Sequence, residues 1–286
     1  MLLNASGCLD ALTAPDVARL LDAFVTKTVT PQPRKGNAPV RIAETEVGML
    51  NSIGLANPGI DAFQRRHLPQ LAQLGIPLWV SVGGFAADEY ADLCSRLDDH
   101  EEVAAIELNL SCPNVDSPVD GTAQIVAASR LATRKPLWAK LSVAVPDLPD
   151  VAQAAKEAGA DGLSLINTVR GLKLDDRTLA PALGPVVGGL SGPALKPIAL
   201  AAVYSCYRAT GLPIVGMGGI QHGRDVLDLV AAGARHAALG TVLFADPDAP
   251  TRIRAELAEE AAARGYADVD AAYAVAHAEL LSPTAT

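Results

Sequence analysis

Residues 151–168 read VAQAAKEAGADGLSLINT and residues 224–241 read RDVLDLVAAGARHAALGT, and the two stretches share one plan. Each opens on a run of helical period and reaches a glycine, Gly159 or Gly233, where a helix C-terminus favours a left-handed residue. Each then turns, enters a short apolar strand and leaves it at a threonine. A helix–turn–strand unit that recurs along a chain builds an α/β fold around a parallel sheet.

Working outward from these two units, eight short apolar runs read as strands: Leu2–Asn4, Phe24–Lys27, Leu78–Val82, Ala105–Asn109, Leu137–Leu141, Leu163–Asn167, Ile214–Gly218 and Ala237–Gly240. They lack in-and-out alternation and hold β-branched or aromatic residues, as strands buried on both faces do. Ala-rich stretches of helical period separate them. Eight such units close a barrel, and 286 residues is near the ~250 usual for one. The expected fold is therefore α/β, a single (β/α)8 TIM barrel forming one domain over residues 1–286. The longest interruptions, 28–76 and 169–195, carry PQPRKGNAP, NSIGLANPG and GPVVGGLSGP. They read as turn-rich loops of functional kind rather than as a second domain.

Composition narrows the function. Hydrophobic residues make up 50% of the chain and charged residues 19%, too apolar a balance for disorder. A net charge of −9 disfavours both nucleic acid and anionic lipid as partners. Four scattered cysteines without a CxxC pair argue against a disulfide framework and against a Cys-rich metal site, so a reducing, cytoplasmic location and no metal are expected. No apolar run reaches ~18 residues and no signal-peptide layout is present, so no membrane segment is expected. The first predicted strand begins next to Met1, so no leader is expected.

In a barrel of this kind the chemistry sits where strands end. The residues there are polar: Asn4, Ser6, Lys27, Thr28, Ser81, Asn109, Lys140, Asn167 and Thr168. A single asparagine is as readily a turn former, but a ring of asparagines with two lysines makes a cationic pocket rich in donors. After the last two strands, Gly218 and Gly219 of GMGGI and then Gly240 and Thr241 offer free backbone N–H groups to a phosphate. The stretch ELNLSCPN (107–114) places Cys112 just past a strand end, beside Asn109, Ser111 and Asn114. A lone cysteine is more often a small buried hydrophobe; this position instead suits a thiol that accepts a proton. None of the five histidines ends a predicted strand, His222 after GMGGI apart, so a Cys–His hydrolytic pair has no evident second member.

With ASG (5–7), TKTVTPQPRKGN (26–37), AETEVGMLNSIGLANPG (43–59), ELNLSCPN, AKL (139–141), LINT (165–168), GGLSGPALKP (188–197), GMGGI (216–220) and GT (240–241) assembled, the chain resembles the class 1 dihydroorotate dehydrogenases. These are FMN-containing enzymes of pyrimidine biosynthesis. The resemblance implies oxidation of dihydroorotate to orotate, with Cys112 as the base that takes the C5 proton while C6 gives a hydride to the flavin. It implies that Asn51, Asn109, Asn114 and Asn167 hold the substrate, that Ile53, Gly54 and Leu55 flank it together with Thr168, and that Lys27 lies between substrate and flavin with a catalytic part. Lys140 takes the place of the lysine at the flavin N1/O2 edge. Ser6, Thr28, Asn109, Ile166, Thr168 and Gly192 match other flavin contacts, and Gly218, Gly219, Gly240 and Thr241 match the phosphate cradle. Ser81 departs from an asparagine usual at that position, CLDALTAPD after Gly7 lacks the usual aromatic–glycine stretch, and AKLSVAVPD lacks a common Pro-Asn.

One branch of this class is a homodimer that reduces fumarate. The other pairs a homodimeric core with an iron–sulfur flavoprotein subunit that passes electrons to NAD. RIAETEVGMLNSIGLANPG and VRGLKLDDRT favour the NAD-linked branch, and no GxGxxG follows the first strand. The competing enzyme is a dihydropyrimidine dehydrogenase-like barrel acting on uracil or thymine, whose Cys-Pro is usually followed by His where this chain has Asn114. A barrel that has lost its flavin is the non-enzymatic reading, and Lys27, Cys112 and Lys140 speak against it.

Overall fold

The computed structural model describes residues 1–110 and 118–281, the side chains of the last three excepted. Eight parallel strands form one sheet: β1 (Leu2–Asn4), β2 (Phe24–Val25), β5 (Leu78–Val82), β6 (Val103–Asn109), β7 (Leu137–Leu141), β8 (Gly162–Leu165), β11 (Ile214–Gly216) and β12 (His236–Leu239). Their order is β1-β12-β11-β8-β7-β6-β5-β2. The parallel bridge of Leu3 to Ala23 then brings the two ends of the sheet together. This is the expected (β/α)8 barrel. The helices that follow the strands, among them Ala87–Asp98, Pro118–Ala132, Leu148–Glu157, Lys196–Thr210 and Gly223–Ala231, pack against their sequence neighbours around it.

Asn4 completes the closure. Its Nδ2 donates to the Val25 carbonyl at 2.7 Å, and its Oδ1 accepts from the Val25 N–H at 2.8 Å, so one buried amide replaces a missing rung between β1 and β2. The reading of Asn4 as part of the polar ring at the strand ends is thereby corrected. The residue is fully buried and spends its amide on the barrel seam, not on a ligand.

Inside the barrel, alternate residues of each strand face the axis. Leu3, Val25, Trp79, Ala105, Trp138, Val215, Met217 and Ala238 form one apolar plug. Trp79 and Trp138 sit ring to ring at 4.7 Å, tilted by 34°. The register pairs Trp138 with Gly162 on β8, where a Cβ would lie 2.5 Å from the indole ring. Gly162→Ala therefore overpacks the plug. It is expected to destabilise the fold by about 1–3 kcal/mol, read as a lowered thermal midpoint; an unchanged midpoint would contradict the packing described.

The predicted strands at Leu2, Leu78 and Leu137 have the expected bounds, whereas those at Phe24, Leu163 and Ile214 end two residues early at Val25, Leu165 and Gly216. The residues so released, including Lys27, Asn167 and Gly218, stand in the barrel mouth. The two long interruptions are also more ordered than turn-rich loops. They supply a four-stranded antiparallel sheet from β3 (Ile42–Thr45), β4 (Gly48–Asn51), β9 (Val169–Leu172) and β10 (Val187–Ser191), in the order β3-β4-β10-β9. That sheet contributes Ile42, Met49, Asn51, Ser191 and the adjoining Gly192 to the wall of the cavity at the mouth.

Candidate active site

A cavity of about 440 Å³ opens at the C-terminal ends of the barrel strands. Its lining includes Ser6, Lys27, Thr28, Asn51, Ile53, Gly54, Leu55, Asn109, Lys140, Ile166, Asn167, Thr168, Gly192, Gly218, Gly219, Gly240 and Thr241. These residues come from loops far apart in the chain, and the barrel brings them to one place. Cys112 and Asn114, the remaining two candidates, lie outside the described residues, in the segment that joins β6 to the helix Pro118–Ala132. Ser81 does not line the cavity. It is buried, and its Oγ lies 3.1 Å from Thr28 Oγ1, so it supports the wall from behind.

The asparagine amides are held in a chain. Asn167 Nδ2 donates to Asn109 Oδ1 at 3.1 Å, Asn109 Nδ2 donates to Thr28 Oγ1 at 3.1 Å, and Thr28 meets Ser81. Tyr90 fixes the same strand end by donating its hydroxyl to the Asn109 carbonyl at 2.7 Å. Asn167 Oδ1 also accepts from the Thr168 N–H at 2.8 Å. On the opposite wall Asn51 Nδ2 donates to the Gly189 carbonyl at 3.2 Å, across the β4–β10 pairing. Such fixed amides present a preset pattern of donors and acceptors, suited to a planar polar ring. The neighbouring turn is strained: Leu55 has φ +55° after Gly54 at +71°. A left-handed conformation costs an ordinary residue ~1–2 kcal/mol, and strain of this kind gathers at ligand sites.

Two ammonium groups line the cavity. Lys140 Nζ donates to Ser6 Oγ at 2.8 Å and lies 3.7 Å from Glu107 Oε1. Lys27 has no carboxylate within ion-pair distance among the described residues. Burial first, and then the Lys140 charge, push its ammonium below the ordinary lysine value. Gly7 makes room for it, since a Cβ there would meet Lys27 Cδ at 2.7 Å. A half-buried cation that meets no carboxylate among the described residues favours an anionic ligand.

The other end of the cavity carries unspent backbone donors. The N–H groups of Gly218, Gly219, Gly240 and Thr241 donate no backbone hydrogen bond within the described chain, although all four residues border the cavity. Unspent backbone donors on one concave wall are what an anionic oxygen cluster requires. The turn that carries two of them is pinned from behind. Asp225 accepts from the N–H groups of Gln221 at 2.8 Å and His222 at 2.9 Å, and it receives Lys196 Nζ at 2.5 Å. Burial opposes the Asp225 charge, but the lysine and the two N–H groups outweigh it and hold the carboxyl below its usual range.

Several lining or supporting residues were not among the sequence candidates. Cys8 borders the cavity near Gly240, Met49 and Ile42 reach it from the antiparallel sheet, and Glu107, Lys196 and Asp225 support it. Glu107 belongs to the ELN motif, and its position two residues before Asn109 on an inward-facing strand was the available signal. Lys196 and Asp225 are brought together from different helices, which no local pattern announces.

Comparison with known proteins identifies a family and a fold. Residues 1–260 match the family model described as dihydroorotate dehydrogenase. A relative from Desulforudis audaxviator, named dihydroorotate dehydrogenase B (NAD(+)), catalytic subunit, is 45% identical over 264 residues, covering 90% of this chain and 86% of its own. Other relatives carry the same name. One from Solibacter usitatus, provisionally named for the fumarate type, dihydroorotate dehydrogenase A, is 44% identical over 245 residues, covering 83% of this chain and 80% of its own. The crystal structure of an Eimeria tenella dihydroorotate dehydrogenase in complex with ferulenol superposes with a TM-score of 0.82 at 23% identity, covering 96% of this chain and 85% of that one, a likeness of fold.

Proposed function

The chain belongs to the dihydroorotate dehydrogenase family and oxidises dihydroorotate to orotate, and we propose that it does so in the cavity at the barrel mouth, with FMN as cofactor and Cys112 as base. The observation that carries this placement is the pairing of the half-buried Lys27 ammonium, which meets no carboxylate among the described residues, and fixed amides at one end of the cavity with unspent backbone donors at the other. Substrate and cofactor ask for those two ends. When bound, a flavin supplies the acceptor for the hydride leaving C6 of dihydroorotate.

The chain's own groups do the rest. The N–H groups of Gly218, Gly219, Gly240 and Thr241 would hold the FMN phosphate, with Ser6, Thr28, Ile166 and Gly192 along the cofactor. Lys140 would stabilise negative charge on the flavin ring by its fixed ammonium. Asn51, Asn109, Asn114 and Asn167 would orient the pyrimidine ring, with Thr168 and the turn Ile53, Gly54 and Leu55 beside it. Lys27 would take the substrate carboxylate, which restores the ammonium that burial disfavours. That requirement separates dihydroorotate from uracil or thymine, which carry no carboxylate. The Cys112 thiolate would accept the C5 proton.

We further propose that the barrel and its antiparallel sheet act as one unit, the catalytic half of a heteromeric enzyme in the cytoplasm. An iron–sulfur flavoprotein subunit would pass its electrons to NAD, as the names of the relatives suggest. Val40, Val47, Leu172, Leu174, Leu179 and Val186 are exposed on or beside the antiparallel sheet, apolar surface that supports pairing of two copies in the core. Among the described residues no helix is long and apolar enough to cross a membrane.

Anaerobic mixing tests the reading. The purified protein is expected to release FMN on denaturation, identified by mass. Its visible flavin absorbance should bleach with dihydroorotate and not with dihydrouracil, and return with NAD only when the partner subunit is present. Bleaching by dihydrouracil alone would overturn the substrate assignment, and reoxidation by fumarate without a partner would overturn the branch.

A further inference from the structure

Beneath the asparagine chain lies a charge that neither the substrate nor the phosphate end of the cavity uses. Glu107 of β6 is 1% exposed, and its Oε1 accepts no hydrogen bond among the described residues. That oxygen lies 3.7 Å from Lys140 Nζ, too far for a hydrogen bond and near enough for a strong Coulomb attraction in a dry interior. The strand register aligns Asn109 with Lys140 and Glu107 with Trp138, so the carboxylate lies level with Trp138 of the apolar plug, two residues along β6 below Asn109. Barrel layers of this kind are ordinarily filled with branched apolar side chains. Replacing a buried ion pair by apolar residues of equal volume is often neutral or stabilising, so packing gives no reason for a carboxylate here.

Lys140 is gripped from two sides, by Ser6 Oγ at 2.8 Å near the mouth and by Glu107 below. Lys27 and Lys140 together carry two positive charges at this wall, and Glu107 offsets one of them. Without it the wall would hold two uncompensated cations facing the same ligand.

We propose that Glu107 is a positioning residue that fixes the Lys140 ammonium at the cavity floor and offsets its charge, and so sets how strongly the site favours the reduced over the oxidised flavin. The inference rests on the flavin reading of this cavity. It adds a residue that acts on the cofactor only through Lys140.

Redox titration of the bound flavin tests it. Glu107→Gln keeps the shape and removes the charge. The ratio of reduced- to oxidised-flavin affinity is expected to rise by about tenfold or more, seen as a more positive midpoint potential, and Glu107→Asp should return most of the shift. Because Glu107 acts on the cofactor only through Lys140, adding Glu107→Gln in a Lys140→Met background should move the potential no further. An unchanged potential in a folded, flavin-bound Glu107→Gln protein would overturn the proposal, as would equal shifts in both backgrounds. If Glu107→Gln alone does not fold, Lys140→Met with and without Glu107→Gln still decides: equal potentials support the proposal and unequal ones sink it. Absence of flavin from the unmutated protein would instead refute the reading of the cavity itself.

Discussion

Replacing Cys112 with alanine is expected to leave the flavin bound and to slow its reduction by dihydroorotate by about 10²–10⁴-fold, the usual worth of a positioned general base. The other thiols are poor substitutes. Burial pushes Cys94 and Cys206 up to about 12, and both lie in the core away from the cavity. Cys8 does border the cavity, but burial also raises its thiol, and the nearby Lys140 and Lys27 charges do not reverse the direction. All three therefore stay protonated near neutral pH. Cys112 follows Asn109 by three residues in the sequence, past the strand end that brings Asn109 to the cavity. Anaerobic stopped-flow absorbance reads the rate, and the visible flavin spectrum reads retention of the cofactor. A wild-type rate in the variant would remove Cys112 from the chemistry.

Gly219→Ala is expected to yield a folded protein that has lost most of its flavin. Gly219 has φ +79°, and a Cβ there would sit 2.6 Å from the backbone nitrogen of Lys196. That nitrogen cannot give way easily, because Lys196 begins the helix Lys196–Thr210 and is tied to Asp225 and Asp228 at 2.5 and 2.8 Å. The turn must shift instead, and the N–H groups that would hold the phosphate shift with it. The left-handed conformation alone costs an alanine ~1–2 kcal/mol, so flavin affinity should fall by roughly tenfold or more. Flavin content on purification and the dissociation constant of the reconstituted protein measure this, with circular dichroism checking the fold. An unchanged dissociation constant would show that the phosphate lies elsewhere.

What the sequence made legible follows from burial. β1, β5 and β7 read correctly because strands covered on both faces are unbroken apolar runs, and LWVSV and LWAKL carry every residue buried. The four strands of the antiparallel sheet were missed for the opposite reason. IAET of β3 alternates exposed and half-buried residues over one short segment, and VGGLS of β10 is glycine-rich and only half-buried throughout. Their pairing is tertiary, and local propensity carries little of it. Asn4 and Asn109 occupy equivalent strand-end positions, yet one staples the barrel seam and the other faces the cavity. Only the neighbour across the sheet distinguishes them. The described lining residues were legible because glycines, lysines and asparagines at strand ends have few structural uses in a barrel, whereas Glu107 was hidden inside a motif read for its asparagine and its cysteine.

The most direct measurement is a crystal structure of the protein with FMN and orotate. The account predicts the phosphate on the backbone N–H groups of Gly219 and Gly240, the orotate carboxylate beside Lys27 Nζ, and Cys112 Sγ facing C5 of the pyrimidine. A sulfur turned away among apolar neighbours, or a flavin seated outside this cavity, would contradict it.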